Sequence, residues 1–289
     1  MSENGRKIVV ITGASTGIGL ACAVHLAERG YTVLGGVRRE ADGEKLRGLG
    51  IEPLMVDVTD AASIAQAAEM VTAFAREEGI CGLVNNAGVG VLGPVEFVTI
   101  PEWRRQFEVN VFGQIAMTQA MLPLLRMRRA RGGSARIVMI GSIAGRIGQP
   151  ILSPYCASKH ALEAVSDALR LELKPEKIGV SLIEPGAIQS EIWEKGQQFV
   201  GTIPADAPSR ARYGKLIEAI GAAAAESARN ALPGEVVAKA VERCLSSAKP
   251  ATRMVIGRDA KFAAVFRRFL SDRWFDRILM GAIKARDWK

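Results

Sequence analysis

Residues 7–29 read KIVVITGASTGIGLACAVHLAER, an apolar run followed by a glycine-rich turn and a helical pattern. The run at 7–11 is typical of a parallel strand that is buried on both faces. Glycines let the backbone turn tightly and approach a pyrophosphate, whose charge is favoured by the free amides at a helix N-terminus. The stretch therefore predicts a dinucleotide phosphate site, with Gly13, Ser15, Thr16, Gly17, Ile18 and Gly19 as its candidate residues.

The same alternation of apolar strand and helix continues along the chain. Further strands are expected at 31–36, 54–56, 82–84, 135–140 and 178–183, with an edge strand at 253–256. Alternating strands and helices predict an α/β fold, a Rossmann-type doubly wound parallel sheet flanked by helices with right-handed crossovers. The 289 residues, 48% of them hydrophobic, suit a single domain over 1–289, and no interdomain linker is apparent.

The end of the second strand bears on the cofactor. An acid at this point would meet the 2′-hydroxyl of NAD, whereas a 2′-phosphate requires positive charge. The sequence has Val37-Arg38-Arg39 here, so NADP(H) is favoured over NAD(H), with a surface role for the arginines as the alternative. Asp57, which follows the third strand, is a candidate to hydrogen-bond the adenine.

A second group of polar residues has a spacing suited to acid–base chemistry. If residues 153–174 are helical, Tyr155 and Lys159 lie on one face, and the ammonium is expected to lower the pKa of the phenol from about 10 toward neutrality. Ser142, at the end of the fifth strand, can then hold the substrate oxygen that receives the proton. A Tyr-x-x-x-Lys pair also occurs on many surface helices, so the pair depends on its context.

Composition excludes several other classes of protein. The scattered cysteines Cys22, Cys81, Cys156 and Cys244 and the two histidines make neither a disulfide framework nor a metal site, so no metal is expected. The N-terminus lacks a secretory pattern and no apolar stretch is long enough to span a bilayer, which favours a cytoplasmic location. The net charge of +8 is concentrated at 121–136 and 258–289; a solvated face is the commoner meaning, and no nucleic-acid binding is expected.

Two C-terminal regions lie beyond the regular pattern. Residues 187–235 have aromatic residues among glycines, prolines and charges, which predicts a lid over the substrate or, almost equally, a surface insertion. Residues 258–289 form an amphipathic helical extension with basic residues. Packing within the subunit or in a dimer is expected first for this extension, and peripheral membrane contact last.

Taken together, Thr12-Gly13-x-x-x-Gly17-Ile18-Gly19, Asn85-Asn86-Ala87-Gly88, Ser142, Tyr155-x-x-x-Lys159 and Pro185-Gly186 resemble the classical short-chain dehydrogenase/reductase family. The resemblance covers about residues 7–257. The phrases at 82–89 and 57–60 are similar to the branch that holds 17β-hydroxysteroid and retinol dehydrogenases.

The resemblance implies a role for each matching residue. Tyr155 would exchange the proton with the substrate oxygen, Lys159 would lower its pKa and hold the nicotinamide ribose, and Ser142 would orient the carbonyl. Asn110 would hold a water that links Lys159 to solvent. The resemblance assigns Pro185, Gly186, Ile188 and Ser190 to the nicotinamide and Asn86, Ala87 and Gly88 to the adenosine side, and the predicted cofactor site also includes Asp57 and Val58.

The resulting hypothesis is an NAD(P)-dependent oxidoreductase that interconverts a secondary alcohol and a ketone, with an apolar, steroid-like or retinoid-like substrate. A homodimer or homotetramer is expected from the resemblance. The alternative from another class is a non-catalytic protein that senses a dinucleotide, although such proteins are expected to lack Tyr155 or Lys159.

Overall fold

The computed structural model describes residues 5–189 and 208–283. Within these ranges one sheet contains β1 (Ile8–Ile11), β2 (Thr32–Val37), β3 (Glu52–Met55), β4 (Gly82–Asn85), β5 (Arg136–Ile140), β6 (Gly179–Pro185) and β7 (Arg253–Ile256). The strands are parallel and lie in the order β3-β2-β1-β4-β5-β6-β7. This confirms the predicted Rossmann-type doubly wound sheet. The order reverses between β1 and β4, where such sheets open a crevice for a ligand.

Helices cover both faces of the sheet. In chain order they are α1 (Gly17–Glu28), α2 (Glu40–Gly48), α3 (Ala61–Ala75), α4 (Ile100–Phe107), α5 (Gly113–Ala130), α6 (Ser153–Glu172), α7 (Pro208–Arg229), α8 (Gly234–Ser246), α9 (Arg258–Phe269) and α10 (Asp272–Ala282). One apolar core joins α1, α2 and α8 to the sheet, and a second core joins α3, α5 and α6 to its other face. All four β1 residues are fully buried because the strand has a core on each side.

Several predicted strand bounds differ from those observed by one or two residues. The third strand, expected at 54–56, runs from Glu52 to Met55. The helical stretch around Asn110 is not a regular α-helix throughout, because a π-helix at Glu108–Phe112 separates α4 from α5. Such wide turns often occur at functional sites, and this one contains Asn110.

The C-terminal part adds elements beyond the sheet. In the region 187–235 the structure describes an isolated bridge between Ile188 and Leu232 and the helix α7, while residues 190–207 lie outside the described part. The predicted amphipathic extension consists of two helices, α9 and α10, because the chain leaves the helical conformation at Leu270. Across the described ranges, the protein contains no helix with the length and apolarity that a bilayer crossing requires.

Candidate active site

The glycine-rich turn lies at the crevice between β1 and β4. Gly13 and Gly17 adopt positive φ angles of 66° and 56°, which glycine tolerates best. A Cβ on Gly19 would lie 2.1 Å from the Gly13 carbonyl oxygen and 2.5 Å from Asn86 Nδ2. The fold requires glycine at these positions because α1 begins in close contact with the backbone of the turn. Thr16 is the N-cap of this helix.

Polar groups at the end of β4 hold this turn in place. Asn86 Nδ2 donates to the carbonyl oxygens of Thr12, at 2.9 Å, and Gly13, at 3.0 Å. The Thr12 hydroxyl accepts the backbone amides of Asn86 and Ala87, both at 3.0 Å. The two strand ends therefore form one unit, in which Thr12 is a positioning residue that the predicted site did not include.

The far end of the cleft carries the residues expected to meet adenosine. Arg38 lies just beyond β2 and Asp57 just beyond β3, and both line the cleft with Val58. Burial acts to raise the pKa of Asp57, but hydrogen bonds from Thr59 and the charge of Arg38 outweigh it and the pKa is lowered. Arg39 is held by Asp42, to which its guanidinium donates at 2.7 and 3.0 Å.

Ser142, Tyr155 and Lys159 meet at the other end of the cleft. Each is at most 8% exposed, and all three line the cleft. Ser142 Oγ accepts the Ala144 amide at 3.1 Å, so the short 3₁₀ turn after β5 fixes the hydroxyl. Lys159 Nζ lies 5.7 Å from the centre of the Tyr155 ring and donates to the Ile140 carbonyl at 2.8 Å. The structure therefore brings together the three side chains that were predicted from the sequence to share one site.

The expected lowering of the tyrosine pKa is wrong for this structure. Burial raises the pKa of Tyr155 to about 12, although its hydrogen bond with Ser142 acts in the opposite direction. Burial also lowers the pKa of Lys159 to about 8. Both groups are buried away from water, which disfavours the charged form of each. The phenol is therefore a protonated group at neutral pH.

Asn110 lies at the back of the site and does not line the cleft. Its Oδ1 accepts the Val89 amide at 2.8 Å, and its Nδ2 donates to the Val89 carbonyl at 3.0 Å and to Ser158 Oγ at 3.1 Å. Ser158 in turn donates to the Tyr155 carbonyl at 2.8 Å. Asn110 thus joins the loop after β4 to the helix that carries Tyr155 and Lys159.

Two buried glutamines extend this connection and were missed in the sequence. Gln106 accepts the Val91 amide at 2.7 Å and donates to the Val89 carbonyl at 2.8 Å, and Gln114 donates to the Ala87 carbonyl at 3.1 Å. Gln106, Asn110 and Gln114 are four residues apart, so they share one helix face. That spacing of amide side chains was the signal that could have identified them.

The turn after β6 completes the cleft. Pro185, Gly186 and Ile188 line it, and the Gly186 amide donates to Ile256 on the edge strand at 2.8 Å. A Cβ on Gly186 would lie 2.7 Å from Asp259 Oδ2, so α9 packs directly against this turn. Ser190, the remaining predicted cofactor residue, lies outside the described residues.

A buried ionic cluster lies behind the three central side chains. Glu184, fully buried at the end of β6, accepts from Arg146 at 2.8 Å and from Arg253 at 2.8 Å. Arg253 also donates to Glu163, one turn after Lys159, at 2.7 Å. Burial and the charge of Glu184 raise the pKa of Glu163 to about 7, despite its bonds from Arg253. The cluster ties together the Ser142 loop, α6 and the turn after β6.

An apolar wall borders the Tyr155 end of the cleft. Leu152, Cys156 and Ala144 pack around Tyr155, with Leu92 and Ile220 of α7 against them. Beyond this wall Ile151 packs with α7 and with Met280 and Ile283 of the C-terminal region. Ile151 has a φ of 67°, an unusual conformation for a β-branched residue, and its carbonyl accepts the Gly93 amide at 2.7 Å.

The cleft has a volume of about 420 Å³, and its lining includes every predicted cofactor and catalytic residue in the described ranges except Gly19 and Asn110. The lining also includes residues outside the predicted site: Gly36, Val37, Val56, Val89, Gly90, Val91, Arg105, Val109, Ile140 and Gly141. A glycine cradle where a Cβ would clash, at the N-terminus of α1, suits the pyrophosphate of a dinucleotide. These features define a Rossmann-fold protein of the nicotinamide-dependent oxidoreductase class.

Comparisons with known proteins give the family. The family model described as short chain dehydrogenase matches residues 7–200. The chain is 34% identical over 281 residues to the NADPH-dependent 3-dehydrocapnine reductase of Ornithobacterium rhinotracheale, covering 96% of this chain and 98% of the relative. The chain belongs to the short-chain dehydrogenase/reductase family, and it is an NAD(P)-dependent oxidoreductase acting on alcohol and carbonyl groups.

Solved structures agree with this assignment. A short-chain dehydrogenase from Streptomyces avermitilis superposes with a TM-score of 0.75 at 29% identity, over 98% of each chain. A short-chain dehydrogenase from Burkholderia cenocepacia, in complex with NADP, superposes with a TM-score of 0.70 at 25% identity, over 94% of this chain and 96% of that one.

Proposed function

We propose that this cleft reduces a ketone to a secondary alcohol, or catalyses the reverse reaction, with Tyr155 as the proton-transferring group. The observation that carries the proposal is the meeting of Ser142, Tyr155 and Lys159 at one end of a cleft whose other end has a phosphate-binding turn. When bound, the nicotinamide dinucleotide supplies or accepts the hydride. The chain's own residues hold the carbonyl, provide the proton and exclude water.

Each side chain has a distinct part in the proposed chemistry. Ser142 Oγ donates a hydrogen bond to the substrate oxygen and places it beside the Tyr155 hydroxyl. Tyr155, with a pKa of about 12, remains protonated at neutral pH and is therefore a proton donor for the strongly basic alkoxide that reduction produces. This protonation state supports the reductive direction. Lys159, Pro185, Gly186, Ile188 and Ser190 hold the nicotinamide end of the cofactor.

The cofactor proposed is NADPH. Val37 stands where an acid would contact the 2′-hydroxyl of NAD, and Arg38 lines the cleft beside it. Arg39 is already engaged by Asp42, so Arg38 is the residue assigned to the 2′-phosphate. The relative from Ornithobacterium rhinotracheale, which is named for its NADPH dependence, supports the same choice. Gly13 to Gly19 hold the pyrophosphate, and Asp57, Val58 and the 86–88 segment hold the adenosine.

The substrate proposed is apolar. The Tyr155 end of the cleft is bordered by apolar side chains from three parts of the chain: Leu92, Leu152 with Cys156, and Ile220. An apolar wall with a few convergent polar groups is the usual design of a site that binds a lipophilic small molecule. Steroid-like and retinoid-like ketones are the substrates indicated by the sequence, and the region 187–235 is the proposed lid. The homo-oligomeric state and the cytoplasmic location stay predictions.

The experiment that tests this function measures NADPH consumption with a panel of ketones graded by apolar size. Turnover that increases from small polar ketones to large apolar ones is the expected result. Fluorescence titration with NADPH and NADH, run in parallel, separates catalysis from binding. Tight NADPH binding without turnover on any ketone or alcohol would overturn the proposal in favour of a dinucleotide-sensing protein.

A further inference from the structure

The two C-terminal helices leave most of their large apolar side chains in solvent. Among the described residues, the exposed fractions are 76% for Phe269, 59% for Phe262 and Trp274, 53% for Val265, 42% for Phe266 and 41% for Ile278. These exposed side chains, most of them aromatic, lie within one short segment and form an apolar patch. Such patches mark interaction sites.

The opposite side of the same segment attaches it to the protein. Ala260 and Phe275 are buried, and Asp259 accepts the Ala187 amide at 3.3 Å beside the turn after β6. Met280 and Ile283 pack against the Ile151 cluster. Since these inward contacts hold the helices in place, the exposed aromatic groups form a fixed outer face rather than the unpacked side of a loose tail.

Basic side chains are interleaved with the exposed aromatic groups. Residues 258–283 carry six Lys or Arg against three Asp. The Arg268 guanidinium lies 5.8 Å from the Phe269 ring centre, and that of Arg277 lies 5.1 Å from the Trp274 ring centre. Asp272 pairs with Arg267 at 2.6 Å, so in the part of the chain that the structure describes this acid does not neutralise Arg268 or Arg277.

We propose that the outer face of α9 and α10 docks on an anionic lipid bilayer. Phe266, Phe269 and Trp274 would enter the boundary between headgroups and acyl chains, while Arg268 and Arg277 reach the lipid phosphates. This inference goes beyond the proposed function and does not depend on it.

Charge distinguishes a bilayer from a second copy of the chain as the occupant. A two-fold symmetric dimer through this face would bring two copies of the same patch together, each with six Lys or Arg against three Asp, so that two net-positive surfaces would meet. An anionic bilayer neutralises those charges and also accepts the aromatic rings. Apolar area and basic charge together are the recognised features of a helix that lies in a membrane interface.

Sedimentation of the full-length protein with lipid vesicles tests the proposal. Vesicles of phosphatidylcholine alone are compared with vesicles that also contain phosphatidylglycerol, at low and at high salt. We expect at least tenfold stronger binding to the anionic vesicles, with the difference reduced by salt because headgroup charges are then screened.

Two variants and two matched controls assign the binding to this face. Phe269→Ser and Arg268→Glu should each lose most of the binding. Leu171→Ser on α6, where Leu171 is 61% exposed, and Arg104→Glu on α4 should keep it. Circular dichroism melts of all four verify that they are folded.

Three results would overturn the proposal. The first is absence of binding of the unmodified protein to anionic vesicles, and the second is binding that both Phe269→Ser and Arg268→Glu retain. The third is a dimer that Phe269→Ser converts to a monomer without any vesicle binding, which would assign the face to a second copy of the chain.

Discussion

Replacing Arg38 by alanine should weaken NADPH binding and leave NADH binding unchanged. Arg38 lines the cleft beyond β2 and makes no ion pair within the residues that the structure describes. Its guanidinium is therefore available to a 2′-phosphate, a group that NADH lacks. The Val37 side chain beside it has no group that could hydrogen-bond either cofactor.

The size of the effect follows from the exposure of Arg38. A hydrogen bond to a charged group contributes about 1.5–3 kcal/mol, whereas an exposed ion pair contributes about 0.2–1 kcal/mol. Because Arg38 is exposed but lies at the wall of a cleft, we expect Arg38→Ala to lose about 1–1.4 kcal/mol of the free energy of NADPH binding. This corresponds to a roughly fivefold to tenfold increase in the Kd of NADPH.

Fluorescence titration with both cofactors measures the effect. Arg39→Ala is the matched control, because the Arg39 guanidinium is held by Asp42 and should contribute little to either cofactor. An equal loss of NADPH and NADH affinity in Arg38→Ala would refute the reasoning. So would a larger loss of NADPH affinity in Arg39→Ala than in Arg38→Ala.

Two further variants test the support of the site. Asn110→Ala leaves the Val89 amide without its partner, so the free energy of unfolding in urea should fall by about 2–3 kcal/mol, and kcat should fall with it. A change in the free energy of unfolding below about 0.5 kcal/mol would contradict the supporting role of Asn110. Glu163 has its pKa raised from 4.5 to about 7 in the folded state, so between these pH values the folded protein binds more protons than the unfolded chain. Its contribution to stability is fully present below pH 4.5 and is lost as the pH rises through 7. In denaturation measured at several pH values, the free energy of unfolding of Glu163→Gln should therefore fall less across this window than that of the unmodified protein. An identical pH dependence in the two proteins would exclude a raised pKa for Glu163.

Local patterns were sufficient to predict the sheet and the central side chains. The burial of β1 follows from its apolar run, and the turn follows from glycines that tolerate positive φ angles. Tyr155 and Lys159 are four residues apart within α6, so a single helix determines that they share a face. The position of Ser142 could be predicted because it follows a strand whose end lies at the crevice.

Features that depend on contacts between distant elements were not predictable in this way. Gln106 bonds to the loop at 89–91, and a helical pattern does not show where that loop lies. The pKa of Tyr155 depends on how completely neighbouring elements exclude water, and this reversed the expected direction. The cluster around Glu184 joins four separate segments, and the pairing of Arg253 with Glu163 spans 90 residues.

The proposed proton transfer depends on the Tyr155 hydroxyl, and Tyr155→Phe tests it most directly. Stopped-flow measurement of one turnover, with the enzyme in excess over a ketone that the unmodified protein reduces, follows NADPH oxidation in both proteins. The variant should bind NADPH with unchanged affinity and lose at least a hundredfold in rate, in line with the usual contribution of general acid catalysis of about 10²–10⁴. An undiminished rate in Tyr155→Phe with NADPH bound would show that the proton comes from elsewhere and would contradict the proposed chemistry.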